Sequence, residues 1–341
     1  MDSPEWESVL QFVSEPLDMD IMSDKPIHET SSATPSQVPT PPLNPVVSIS
    51  TTFFSGANLN PLSPDLVFLS SDAVFFYVHS EQVLGASENG FCGLLPAKQA
   101  NPPPALKGFP RVEELGPIIA LPESAHVVNV VLHTIYGISC AHYAPPLDVL
   151  LAALDALHEY GIPLKRYCTP STPLFALILG QAPYNPIEVY ALAARHDLYD
   201  LAVPISSHLL GYQLANLSDE LVQKMGPVYL KRLFFLHLGR IDALKRLLLP
   251  PPHPHAPTAD CDFTEQKKLT RAWALASAYL AWDARPDLSM AAIEAALRSL
   301  EEHLSCGVCK KALGERIKQL IVQWSVVKVR IEPPSLPIPY I

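Results

Sequence analysis

The sequence predicts an α+β fold, mainly α overall, in which a small mixed unit is followed by an all-helical extension. Three observations carry this. Two short runs rich in β-branched and aromatic residues, Leu66 to Leu69 and Val74 to Val78, are split by Ser70, Ser71 and Asp72, a hairpin signal. Beyond Tyr136 the apolar residues recur at threes and fours, the period of a helix with one buried face. The 36 Pro against 14 Gly gather in segments that separate these periodic stretches.

Residues 1–60 read as a disordered arm, acidic at first and then rich in Pro, Ser and Thr, with too few apolar residues to offset the entropy of ordering. Near its start, Ser3 can cap and Pro4 can open a helix that places Trp6, Val9, Leu10 and Val13 on one stripe amid acids. That pattern suits a helix-in-groove ligand and is similar to acidic transcriptional activation segments; loose packing on the chain's own helices is the alternative.

Residues 61–140 form the mixed unit. After the hairpin, Val83 and Leu84 give a helix its apolar face while Glu81 and Gln82 occupy its first turn, near the positive end of the dipole. A Pro-rich insertion, 96–117, precedes a strand at Ile118 to Leu121 and a helix spaced by Val127, Val128, Val131, Leu132 and Ile135. In so small a unit these side chains exceed what one core can bury, which predicts a symmetric pairing.

The extension spans residues 141–249. Pro145 and Pro146 open a helix ending at Gly161, a pair follows at Ile187 to His196 and Leu201 to Leu210, and Ser218 caps a segment through Val222. Helices at Val228 to Leu238 and Ile241 to Leu249 complete the block. A Pro-rich linker, 250–262, divides it from a C-terminal helical subdomain, 263–331, and a tail, 332–341. That subdomain carries three apolar stripes: Leu269, Ala272, Trp273, Ala276 and Leu280; Ile293, Ala296, Leu297, Leu300 and Leu304; and Leu313, Ile317, Leu320, Ile321, Trp324 and Val327.

The order of Asp65, two strands, His79, a short helix with Leu84 and Ser87, and Phe91 resembles the opening of a BTB/POZ domain. The strand at Ile118 and the helix ending Ile135-Tyr136-Gly137 continue the likeness. Stretches such as Met225 to Arg240 and Arg271 to Ser289 are similar to a group of BTB proteins from basidiomycete, mushroom-forming fungi. The resemblance implies a homodimer, with Asp65, His79, Leu84, Val127 and Val131 near the dimer or partner surface and His79 structural. Ser80 stands where many members carry a basic residue, so partner binding through that groove is not carried over. In BTB adaptors of cullin-type ubiquitin ligases an apolar-x-Glu triplet sits in the loop before this strand. Val112 and Glu114 match it, and an acidic turn in a loop is the bland alternative.

Charge and motif content narrow the function. The formal charge is −10, yet residues 1–64 hold eight acids against Lys25 alone, leaving about −3 elsewhere and no basic stripe for nucleic acid. Lys310, Lys311, Arg316 and Lys318 read as a solvated helix face. Six unevenly spaced cysteines without a secretory signal point to a reducing intracellular compartment, cytoplasm or nucleus. The uncharged run from Tyr167 to Ile187 is broken by Pro170, Pro173, Pro183 and Pro186, which argues against a membrane span. No glycine-rich phosphate loop, nucleophile elbow or HExxH pair is present.

The sharpest chemical candidate is His303-x-x-Cys306-x-x-Cys309, with Cys261, His253 and His255 across the intervening helix. Cys306, Cys309, Cys261 and His303 make a zinc ligand set of the right number; burial of small thiols and a redox pair are the alternatives. The chain is therefore expected to be a non-enzymatic protein–protein interaction module, a homodimer presenting its helical extension to a protein partner, with no cofactor beyond a candidate structural zinc. An adaptor of a cullin scaffold and a transcriptional regulator with an acidic N-terminal activation segment are the other readings.

Overall fold

A computed structural model of the chain describes residues 48–95 and 117–331. Trp6, Leu10 and Val13, the triplet with Val112 and Glu114, the insertion 96–116 and the tail 332–341 lie outside the described residues. The described part is α+β and mainly helical, with one small four-stranded sheet.

The hairpin forms where the β-branched runs predict it. β2 (Leu66–Leu69) and β3 (Val74–Val78) pair antiparallel, with Leu66 opposite Val78 and Leu69 opposite Phe75. Ser70 Oγ donates to Asp72 Oδ1 at 2.7 Å across the turn, and Ala73 closes it in the left-handed region at a φ of 61°. β1 (Ser48–Ile49) adds parallel to β3 and β4 (Ile118–Ala120) parallel to β2, giving the order β1-β3-β2-β4. β1 corrects the expected arm boundary at residue 60. Phe53 is fully buried, edge-on to the His133 and Tyr136 rings, so this segment is anchored to the core through Phe53 and Ser50, while most of residues 48–60 lie at the surface.

The side chains that mark the hairpin-and-helix order also tie it together. Asp65 accepts from the Ser80 N–H at 2.7 Å and from Ser80 Oγ, which satisfies the start of α1 (Ser80–Ala86) with a carboxylate. His79 is buried; its Nδ1 lies 2.8 Å from Tyr136 Oη and its Nε2 2.9 Å from the Leu62 carbonyl. The imidazole is therefore a structural bridge. Burial pushes the Tyr136 phenol up to about 12, so it stays a neutral partner.

Asp72 also accepts from the N–H of Ala125, which pins the hairpin turn to α2 (Ala125–Ile135). Burial raises this carboxyl, and the hydrogen bonds from Ser70 and Ala125 outweigh that and hold it below its usual range. Val127, Val128, Val131, Leu132 and Ile135 are all buried in the chain's own core, where α2 packs on α3 (Leu147–Glu159). The expectation that they exceed one core is thus corrected, because helices beyond residue 140 cover them. Of the five residues placed near a dimer surface, His79, Val127 and Val131 are buried, Leu84 is half-buried and Asp65 is exposed.

Gly161 ends α3 at a φ of +68°, where a Cβ would meet the Asn89 side chain at 2.5 Å. That close approach lets Asn89 Nδ2 reach the Glu159 carbonyl and seats Phe91 between Phe68 and Tyr160, at ring separations of 5.1 and 4.0 Å. Tyr160 in turn donates to Glu123.

The extension continues through α4 (Leu164–Tyr167), α5 (Pro173–Leu179), α6 (Pro186–Arg195) and α7 (Tyr199–Ser206). Pro173 and Pro186 open helices here, since a first-turn residue needs no N–H partner. Among the described residues no helix is long and apolar enough to cross a membrane.

α8 (Asp219–Leu248) starts at the Ser218 cap, breaks at Gly226 with a φ of 68° before Pro227, then runs without interruption through Gly239. The two helices expected at 228–238 and 241–249 are one. Its first half packs into the core that contains the sheet, while Leu244 and Leu248 belong to a second core. The second core is completed by α9 (Phe263–Trp282), α10 (Met290–Arg298) and α11 (Gly307–Ser325). One helix thus serves both cores: the linker expected at 250–262 does separate α8 from α9, while the division between the two cores falls inside α8.

Two inward arginines, Arg316 and Arg240, face this second core. Arg316, expected on a solvated face, is buried: it donates to the carbonyls of Pro250 and Leu247, and its guanidinium sits 5.5 Å from the Trp273 ring centre. Trp273 Nε1 and Ser277 Oγ both donate to the Leu248 carbonyl. The open carbonyls at the end of α8 are thereby satisfied, with a cation at the negative end of the helix.

Candidate metal centre

The linker after α8 does more than connect. Thr258 and Cys261 pair backbone to backbone in a tight turn, and Asp262 next to it caps α9 by accepting from the N–H groups of Thr264 and Glu265. Cys261 is therefore held at the threshold of one helix. Cys306 is the N-cap residue of α11 and Cys309 lies in its first turn, so the other thiols sit at the start of a second. Both positions place sulfur near the positive end of a helix dipole, where a thiolate is favoured.

His255 completes the group. The ligating atoms of His255, Cys261, Cys306 and Cys309 all lie within 4.8 Å of one another, a set that could hold a metal ion. Cys261 Sγ is 3.7 Å from Cys309 Sγ, and His255 Nε2 is 3.4 Å from Cys306 Sγ and 3.3 Å from Cys309 Sγ. His255 Nδ1 lies 2.7 Å from the Ala256 carbonyl; a proton there leaves the Nε2 lone pair aimed at the sulfurs.

The thiols differ in their surroundings. Backbone N–H groups of Cys309 and Val308 donate toward Cys306 and bring its thiol down to about 7. Burial pushes Cys309 up to about 12 and also raises Cys261. Three crowded sulfurs without a counter-charge cannot all ionise; a divalent cation at their centre would allow it.

Three of the four ligands expected from sequence are brought together. His303 is not among them. It ends a separate 3-10 turn, Ser299–His303, and Leu304 after it is extended, so the helical spacing that would put His303 beside Cys306 does not exist. His303 is exposed and His255 takes its place. The remaining cysteines, Cys92, Cys140 and Cys168, stand apart from the cluster and are free, the last two buried.

A surface cleft lined by Lys165, Cys168, Asp197, Tyr199 and Arg232 is another polar constellation. Its charges are engaged internally. Lys165 Nζ meets Asp197 at 2.5 Å, Tyr229 donates to the same carboxylate, and Arg232 lies over the Tyr199 and Tyr229 rings. Asp197 takes the left-handed place after α6, at a φ of 51°, and these bonds hold it there. Comparison of the chain with protein-family models, with curated proteins and with solved structures finds no match.

Proposed function

We propose that the chain is a non-enzymatic protein-binding scaffold whose C-terminal helices are held together by one structural zinc ion at His255, Cys261, Cys306 and Cys309. The separation of the ligand atoms carries this reading. A tetrahedral zinc with sulfur at about 2.3 Å and nitrogen at about 2.0 Å sets S···S edges near 3.8 Å and S···N edges near 3.5 Å. The observed 3.7, 3.4 and 3.3 Å fall close to those edges. Four protein ligands leave no open position for substrate, so such an ion organises structure. It joins the linker, the start of α9 and the start of α11, whose cysteines also border the second core.

Protein purified without chelator is expected to contain one zinc per chain by elemental analysis. Metal-free protein that takes up no zinc on titration would overturn the reading. For the scaffold role, the support is apolar surface at helical spacing: Val228, Phe235 and Leu238 on α8, and Leu275, Tyr279 and Trp282 on α9, are all more than half exposed.

Self-association through a BTB/POZ-like unit is the second reading. It draws support from the sequence of strands, α1, β4 and α2, and from the exposed apolar residues Ile49 and Ile118 on the outer strands of the sheet. The full chain is then expected to scatter light as two copies at tens of micromolar. A one-copy mass at that concentration would remove the pairing while leaving the zinc reading in place.

A further inference from the structure

We infer that the outward face of α9 is a docking surface for an acidic amphipathic helix of a partner protein. The inference rests on the scaffold reading and names the chemistry of what one of its faces takes.

α9 has two apolar faces. One, with Leu269, Trp273 and Leu280, is buried in the second core. The other carries Leu275, Tyr279 and Trp282 at i, i+4 and i+7, exposed by 74, 71 and 93%. A helix that only needed to pack on its own core would carry polar residues there. A tryptophan almost wholly in water is unusual, and with Tyr it supplies the large rigid contact area of a binding hot spot.

The same face is basic towards the helix start. Lys268 and Arg271 continue the row of Leu275, Tyr279 and Trp282 back by two turns, with Lys267 alongside, and all three are exposed. They belong to a positive region. Between Phe263 and Ile331 there are eleven Lys and Arg against seven Asp and Glu, a formal +4 in a chain whose total is −10. Lys268 is paired with Glu265 at 2.6 Å, so Lys267 and Arg271 are the cations the surface offers over its first half, with the anchors over its second. A partner helix with acids at one end and bulky apolar residues spaced i, i+3 or i+4, i+7 matches both. The same face of a second copy matches less well, since it brings two like-charged regions together.

The face is also rigid before binding. Asp262 caps the helix start, and Trp273 Nε1 holds its middle to the Leu248 carbonyl at 2.9 Å, so little ordering of α9 opposes association.

The test uses the full chain and two fluorescein-labelled amphipathic peptides with one apolar pattern, one carrying Glu and the other Lys at the flanking positions. Fluorescence anisotropy at low salt is expected to show the Glu peptide binding at least about tenfold tighter, a preference that shrinks as salt rises. Trp282→Ala, at a side chain without structural burial, should weaken the Glu peptide by about tenfold or more with an unchanged melting temperature. Reversing the charges of Lys267, Lys268 and Arg271 to Glu should invert the preference between peptides. Equal binding of both peptides, binding of neither at hundreds of micromolar, or indifference to Trp282→Ala would overturn the proposal. So would a light-scattering mass that halves on Trp282→Ala, which would make the face a contact between copies. A chain that holds zinc, or pairs, while ignoring both peptides loses this inference alone.

Discussion

Cys309→Ser is expected to abolish zinc retention and to lower the melting temperature by on the order of 10 °C. Cys309, like His255, has two close partners in the proposed set, 3.7 Å from Cys261 Sγ and 3.3 Å from His255 Nε2, so its loss removes a corner of the tetrahedron. An ion bound only by the folded state adds about 4 kcal/mol when free metal exceeds its dissociation constant a thousandfold. At about 2–4 °C per kcal/mol for a fold of this size, that energy is the quoted shift. Replacing a buried thiol also perturbs packing, so the loss alone would not identify the cause. Chelator dependence does: the wild-type melting curve should fall in chelator nearly to that of Cys309→Ser, and the variant's own curve should not move. His255→Gln should behave like Cys309→Ser, whereas His303→Gln should be silent. A wild-type melt indifferent to chelator, or a His303→Gln protein that loses metal, would defeat the assignment.

The contrast between those two histidines marks where sequence reading runs out. Cys306 and Cys309 are legible because their spacing is local and thiolate pairs at that spacing suit one ion. Choosing between His303 and His255 requires knowing that α11 begins only at Gly307 and that the linker folds back, which are facts of tertiary structure. The hairpin at Leu66 to Val78 was readable for the same local reason. β1 was not: Val46, Val47, Ile49, Phe53 and Phe54 are β-branched or aromatic, but the Pro, Ser and Thr before and among them masked the strand, and its partner, β3, lies further along the chain. α8 misled by its Gly239, a residue that weakens a helix interior by only about 1 kcal/mol and is overridden where Leu236 and His237 before it and Arg240 and Leu244 after it are buried. The second apolar face of α9 was masked by the first, because the row through Leu269, Trp273 and Leu280 already explains a buried helix.

Arg240→Ala is expected to cost the folded state several kcal/mol, on the order of 3–5. Arg240 lies on α8, buried, with Nε donating to the Pro286 carbonyl at 2.6 Å and one terminal nitrogen reaching the carbonyls of Val327 and Lys328 at 2.9 and 3.0 Å. Its guanidinium carbon stands 4.2 Å from the centre of the Trp324 ring, and Trp324 Nε1 donates to Leu288 at 3.0 Å. The cation thus staples the chain between α9 and α10, and the chain after α11, to the one helix shared by both cores. Burial pulls this guanidinium down, with Asp287 opposing, yet an arginine keeps its charge at neutral pH. Truncation to Ala leaves those carbonyls without their donor and opens space beside Trp324. Each unsatisfied carbonyl costs about 1–3 kcal/mol before water enters, so a total loss of about 3–5 kcal/mol is expected in urea denaturation. Arg240→Lys should recover little, because a single ammonium cannot span carbonyls placed for a planar fork. Arg240→Met restores the stem and the contact with Trp324, and should recover only the packing share. If Arg240→Ala stays within about 1 kcal/mol of wild type, or Lys restores full stability, the clamp is not what joins these segments and the second core must hold by its apolar contacts alone.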